Sequence, residues 1–152
     1  MRTRQILCPV DFSEESEHAL EYAIELAALY KVKLRLLHVI SKAYGEDITT
    51  LPHHEENFGI VAVPQAKLQQ HMQAYASEKI HALLQQLHPE QQLEVLIRRG
   101  SATGQILEEA ESANVGMIVV GCHQRTALAH WLQPSVTEEI INKAKCPVMV
   151  VK

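Results

Sequence analysis

Short apolar runs of strand length alternate with longer segments of helical period along most of the chain, and this alternation limits the fold more than any other feature. Ile6 to Val10 is a compact apolar run closed by Asp11-Phe12-Ser13. Ser13 is placed to cap a helix whose apolar positions are Leu20, Ala23, Ile24 and Ala27. Leu34 to Ile40 reads as a second strand. Gln65 to His88 reads as a long helix with Leu68, Met72, Tyr75, Leu83, Leu84 and Leu87 on one face, ended by Pro89. Leu93, Val95 and Ile97 then alternate with Glu94 and Arg98 as a third strand, and after Gly100 a helix carries Ile106, Leu107 and Ala110. Met117 to Val120 is continuously apolar, as a central parallel strand covered on both faces must be. After a polar loop, Val136, Ile140, Ile141 and Ala144 stripe a last helix, and Pro147 to Val151 closes the chain as a fifth strand. Strands alternating with helices predict an α/β fold built of βα units on a parallel sheet.

A chain of 152 residues fits a single domain over 1–152 with a core that needs no metal or disulfide. The formal charge of -4 and the lack of any long Lys/Arg run leave no basic footprint for nucleic acid. No stretch reaches the roughly 20 apolar residues that span a bilayer, so no membrane association is expected. The start, Met1-Arg2-Thr3-Arg4, is followed by an apolar run that stops at Pro9, too short for a secretory signal. Cys8, Cys122 and Cys146 form no CxxC pair, which suits a reducing compartment and predicts a cytoplasmic protein whose cysteines pack as small hydrophobes. The stretch at about 41–64 breaks the alternation with Gly45, Pro52, Gly59 and Pro64. It is expected to be a mobile insertion at the carboxyl end of the second strand.

Four segments then resemble one family in order and spacing. They are Cys8-Pro9-Val10-Asp11-Phe12-Ser13, Leu37-His38-Val39, Ile118-Val119-Val120-Gly121-Cys122-His123 and Cys146-Pro147-Val148-Met149-Val150-Val151. Together they are similar to the universal stress protein family, UspA-like, from Ile6 to the end of the chain. The resemblance implies an open five-stranded parallel sheet ordered 3-2-1-4-5 with helices on both faces, Rossmann-like and similar to the adenine nucleotide alpha hydrolases. Ligands of such sheets bind outside the carboxyl ends of the strands flanking the reversal of order. Here that crevice would lie between strands one and four, with Asp11 and Gly121 facing it. Asp11 and the backbone of Val39 match positions that contact the nucleoside in nucleotide-binding members, and Pro9, Gly121, Ser135 and Val136 complete the candidate crevice.

Nucleotide-binding members carry Gly-x-x-Gly, a spacer of nine residues, and Gly-Ser or Gly-Thr after strand four. This chain keeps Gly121 and Ser135, with Gln124 and Pro134 in place of the other glycines. Gln124 adds a side chain where a phosphate should approach the backbone. Pro134 removes an N–H and restricts Gln133 to extended conformations. The loop resembles the subgroup with a degenerate glycine motif, which is regarded as not binding ATP. No cofactor is therefore expected, and ATP, AMP or a cyclic nucleotide held by Ser135, Asp11 and the helix amides is the alternative. A structural reading stands beside each site: Asp11 would order the turn before the first helix, and Ser135 with Glu138 would form a capping box.

Other groupings carry less. His53, His54, Glu55 and Glu56 are adjacent and lack a spaced partner, so no metal site is expected. Cys122 and His123 are neighbours whose side chains diverge, with no third group to orient them, and no catalytic residue is assigned. Arg125 and His130 read as solvated loop residues, either of which could help hold a phosphate, and Trp131 either folds back on the domain or stands exposed as an anchor for a partner. The last strand is an edge, yet Val148-Met149-Val150-Val151 carries no charge or proline to blunt it. Antiparallel pairing of two copies about a twofold axis would cover it, which predicts a homodimer. The expected function is that of a homodimeric, non-enzymatic stress-response module acting through an unidentified protein partner or ligand, not a tight ATP binder.

Overall fold

The computed structural model describes residues 4–41, 65–89, 93–122 and 135–152. In chain order these residues form β1 (Gln5–Pro9), α1 (Glu14–Tyr30), β2 (Lys33–Ile40), α2 (Gln65–Leu87), β3 (Leu93–Arg99), α3 (Ala102–Ser112), β4 (Met117–Gly121), α4 (Val136–Lys143) and β5 (Val148–Val151). All pairings are parallel and the strand order is β3-β2-β1-β4-β5, as the resemblance implied. The region 42–64 lies outside the described residues. No helix among the described residues is long and apolar enough to cross a membrane.

Alternation along the central strands divides the core in two. Ile6, Cys8, Leu34, Leu36 and Val119 turn to one face, where Ala19, Leu20, Ala23 and Ala27 of α1 and Ile80 and Leu83 of α2 cover them. Leu7, Leu37, Ile118 and Val120 turn to the other, against Ile106 and Ala110 of α3 and Ile140 of α4. The runs from Ile6 to Cys8 and from Ile118 to Val120 are therefore apolar at every position because both faces are covered.

Two helical faces differ from the sequence reading. On α2 the buried line runs through Ala76, Ile80 and Leu83, while Tyr75 is exposed beside Lys79. One residue is about 100° of rotation on a helix, enough to carry Tyr75 off a stripe that a small alanine occupies. On α4, Val136 and Ile141 are exposed and Ile140 is fully buried. Thr137 takes the second inward place because its hydroxyl donates to the Gly121 carbonyl at 2.9 Å.

Below α3 the sheet carries an ion cluster. Glu109, with a side chain 7% exposed, accepts from Arg35 and from Arg98 at 3.1 Å, and Arg35 also donates to Gln5 at 2.9 Å and Glu94 at 2.8 Å. Removing one member of such a buried set strands the others, a larger effect than the net worth of the pair. Glu109→Ala is expected to lower unfolding free energy by about 3 kcal/mol, the low end for a buried pair because Arg98 is half-exposed. Urea denaturation checks this, and an unchanged midpoint would contradict the cluster's role in seating α3.

Candidate functional site

The strand order reverses between β1 and β4. From β1 the chain enters α1 on one face of the sheet, and α4, which follows β4, packs on the other. The two connections part, and a cleft of about 280 Å³ opens between them. Pro9, Asp11, Val39, Gly121, Ser135 and Val136 all border it, as do Leu37, Ile106 and Val120, which make an apolar floor. Ala102, at the start of α3, closes one side.

Asp11 is exposed at the cleft rim. Its Oδ1 accepts from the Ser13 N–H at 3.1 Å and from the Ser13 hydroxyl, while its own N–H donates to Ser16 Oγ at 3.2 Å. Ser16 in turn donates to the Ser13 carbonyl at 3.0 Å, and Ser13 caps α1 by accepting from the Ser16 N–H. The turn-ordering role considered for Asp11 is thus present, together with its position on the cleft. Between Asp11 and Ser13, Phe12 adopts a left-handed backbone with φ 65°. For a bulky residue this costs on the order of 1–3 kcal/mol and needs compensation. The Phe12 ring packs on the core and lies 4.4 Å from the His38 ring, and His38 Nδ1 stands 2.8 Å from the Val10 carbonyl.

Ser135 and Glu138 form the expected capping box. Ser135 Oγ accepts from the Glu138 N–H at 3.1 Å, and the Ser135 N–H donates to Glu138 Oε2 at 3.1 Å. The first-turn amides of Val136 and Thr137 have no intrahelical acceptor and lie at the cleft. Among the described lining residues Asp11 is the one ionisable side chain.

Gly121 has a packing reason that the sequence reading did not contain. A Cβ there would lie 2.4 Å from the Glu15 carbonyl oxygen and 2.8 Å from the Ser16 nitrogen, so the end of β4 and the first turn of α1 approach too closely for any side chain. Ser16, Thr137, Phe12 and His38 were also missed as site-building residues. For Ser16 a signal was available: Ser13-x-x-Ser16 is a cap followed three residues on by another hydroxyl.

Burial holds the Cys8 thiol far above its ordinary range and also raises Cys146, and no disulfide joins Cys8, Cys122 and Cys146. Gln124 and Pro134, on which the argument about phosphate rests, lie outside the described residues. So do His123, Arg125, His130 and Trp131 and the group His53, His54, Glu55 and Glu56.

The sequence profile of the universal stress protein family matches residues 2–152. Universal stress protein Sll1654 of Synechocystis sp. is 30% identical over 149 residues, covering 97% of this chain and 85% of that protein. Universal stress protein MJ0577 of Methanocaldococcus jannaschii is 30% identical over 158 residues, covering 98% and 94%. A solved structure of MJ0577 aligns with a TM-score of 0.77 at 28% identity, over 100% of this chain and 97% of the other. A universal stress protein of Archaeoglobus fulgidus, solved in complex with dAMP, shares the fold at a TM-score of 0.62 and 21% identity over the whole of both chains.

The contact between β4 and α1 yields a direct test. Gly121→Ala forces the two backbones apart and is expected to cost about 1–3 kcal/mol, measured as a lowered denaturation midpoint. Unaltered stability would mean that the glycine serves the cleft alone.

Proposed function

This chain belongs to the universal stress protein family, and from that premise we propose that it is a homodimeric, non-enzymatic module of the cytoplasmic stress response whose crevice takes a nucleoside with a single phosphate and does not hold ATP tightly. One observation carries the reading. The described lining of the cleft pairs a carboxylate, Asp11, with the open first turn of α4, and contains no lysine or arginine.

The donor inventory supports one phosphate. Ser13 donates to Asp11, Ser16 to the Ser13 carbonyl and Thr137 to the Gly121 carbonyl, so these hydroxyl protons are committed. The Glu138 N–H is committed to Ser135. Among the described residues at the start of α4, the Ser135 hydroxyl and the amides of Val136 and Thr137 remain to meet an oxyanion, with the partial positive charge of the helix end behind them. Three donors suit a single phosphate. Asp11 is suited to accept from the hydroxyls of a sugar, and Val39, Leu37, Ile106 and Val120 to pack against a flat base. The Archaeoglobus protein's dAMP fits this class, although at 21% identity that likeness extends to the fold and not to the lining residues. Gln124 and Pro134 argue in the same direction, since each weakens a loop that would grip a longer phosphate tail through its backbone.

The dimer reading rests on β5. Val148, Met149 and Val150 are half-buried at the edge of the sheet and bring no charge or proline to block pairing. A cytoplasmic location is supported by Cys8, Cys122 and Cys146, which form no disulfide with one another.

Calorimetric titration separates the ligand classes. AMP is expected to bind at least as tightly as ATP. A dissociation constant for ATP of about 1 μM or below, equivalent to about −8 kcal/mol, with AMP weaker, would overturn the single-phosphate reading. Val150→Lys places a charge in the proposed strand pairing and is expected to give a monomer by light scattering; an unchanged dimer mass would exclude β5 as the interface.

A further inference from the structure

The turn between β1 and α1 poses a problem that its own hydrogen bonds do not solve. Asp11 Oδ1 and Ser13 Oγ hold the polar atoms of the turn, but neither dictates the left-handed backbone of Phe12 between them. Glycine or asparagine would be the ordinary residue at φ 65°. A phenylalanine there implies that its ring is gripped by something.

His38 supplies that grip from the neighbouring strand. Its Nδ1 lies 2.8 Å from the Val10 carbonyl. A carbonyl oxygen accepts only, so Nδ1 carries the proton and donates. The same imidazole lies against the Phe12 ring in a close, tilted contact, at a centroid distance of 4.4 Å and an interplanar angle of 33°. One side chain therefore fixes the backbone on one side of Asp11 and the side chain on the other. Val10 is further tied to β2 through its N–H and the Leu37 carbonyl at 2.9 Å, so the anchor is continuous with the sheet.

We propose that His38 is a positioning residue of the crevice: by donating from Nδ1 to the Val10 carbonyl and packing on Phe12, it holds the left-handed turn that sets the Asp11 carboxylate at the cleft. This role concerns the same cleft and rests, for its functional consequence, on the reading that the cleft binds a nucleoside monophosphate. Its structural consequence does not depend on that reading.

The test uses the full chain with AMP as the probe and two readouts. In the wild type, the ¹⁵N signature of His38 should be that of a protonated Nδ1, coupled across the hydrogen bond to the Val10 carbonyl. His38→Ala should shift the backbone amide resonances of Asp11, Phe12, Ser13 and Ser16 and weaken AMP binding tenfold or more. His38→Phe keeps a ring against Phe12 and removes the donor; it should shift the same amides and weaken AMP by a smaller factor, and it serves as the comparison if His38→Ala does not fold. Unchanged amide resonances and unchanged AMP affinity in these variants would overturn the proposal. Absence of AMP binding by the wild type would instead count against the nucleotide reading, and the amide resonances would still decide the role of His38.

Discussion

Strand β1 pairs in parallel with β2 on one side and β4 on the other, and this placement governs the rest of the molecule. A central strand must bury both faces, so Ile6, Leu7 and Cys8 are all inaccessible and helices are required above and below. The first helix covers one face and the last helix covers the other. Their connections diverge where β1 and β4 end, and no covalent segment among the described residues fills the gap. A crevice outside the carboxyl ends of these strands follows from topology before any side chain is considered.

Side chains then decide how that gap is finished. Gly121 lets β4 press against the first turn of α1, and Thr137 draws the start of α4 to the Gly121 carbonyl. The same residue thus receives one helix on each side. The His38–Phe12 contact lies behind Asp11, on the α1 side of the sheet. The resulting lining has a carboxylate at one end and the open amides of a helix at the other. Dipole attraction of this kind contributes about 0.3–1 kcal/mol at an exposed helix end and is screened by salt, which is modest beside what a lysine or arginine clamp on a polyphosphate supplies.

Much of this was legible in the amino-acid sequence, because strand-length apolar runs and capped helices declare themselves locally. The strand order came with the family resemblance, and all six residues assigned to the crevice border it. Helix faces were less legible: Tyr75 and Val136 look like core residues by composition, yet a small or hydrogen-bonded neighbour, Ala76 or Thr137, takes the inward place. The turn conformation was hidden, since a left-handed phenylalanine contradicts local preference and is sustained by His38, distant in sequence and adjacent in the sheet. Gly121 was read for what it offers a phosphate, whereas the approach of α1 is visible only once the helix is packed.

In the proposed function the crevice takes one phosphate. A crystal structure of the protein grown with ATP tests it most directly. The nucleoside should be ordered between Asp11 and Val39, with the α-phosphate at Ser135, Val136 and Thr137 and the remaining two phosphates without defined density. A triphosphate ordered along its full length against residues 121–136 would contradict the account.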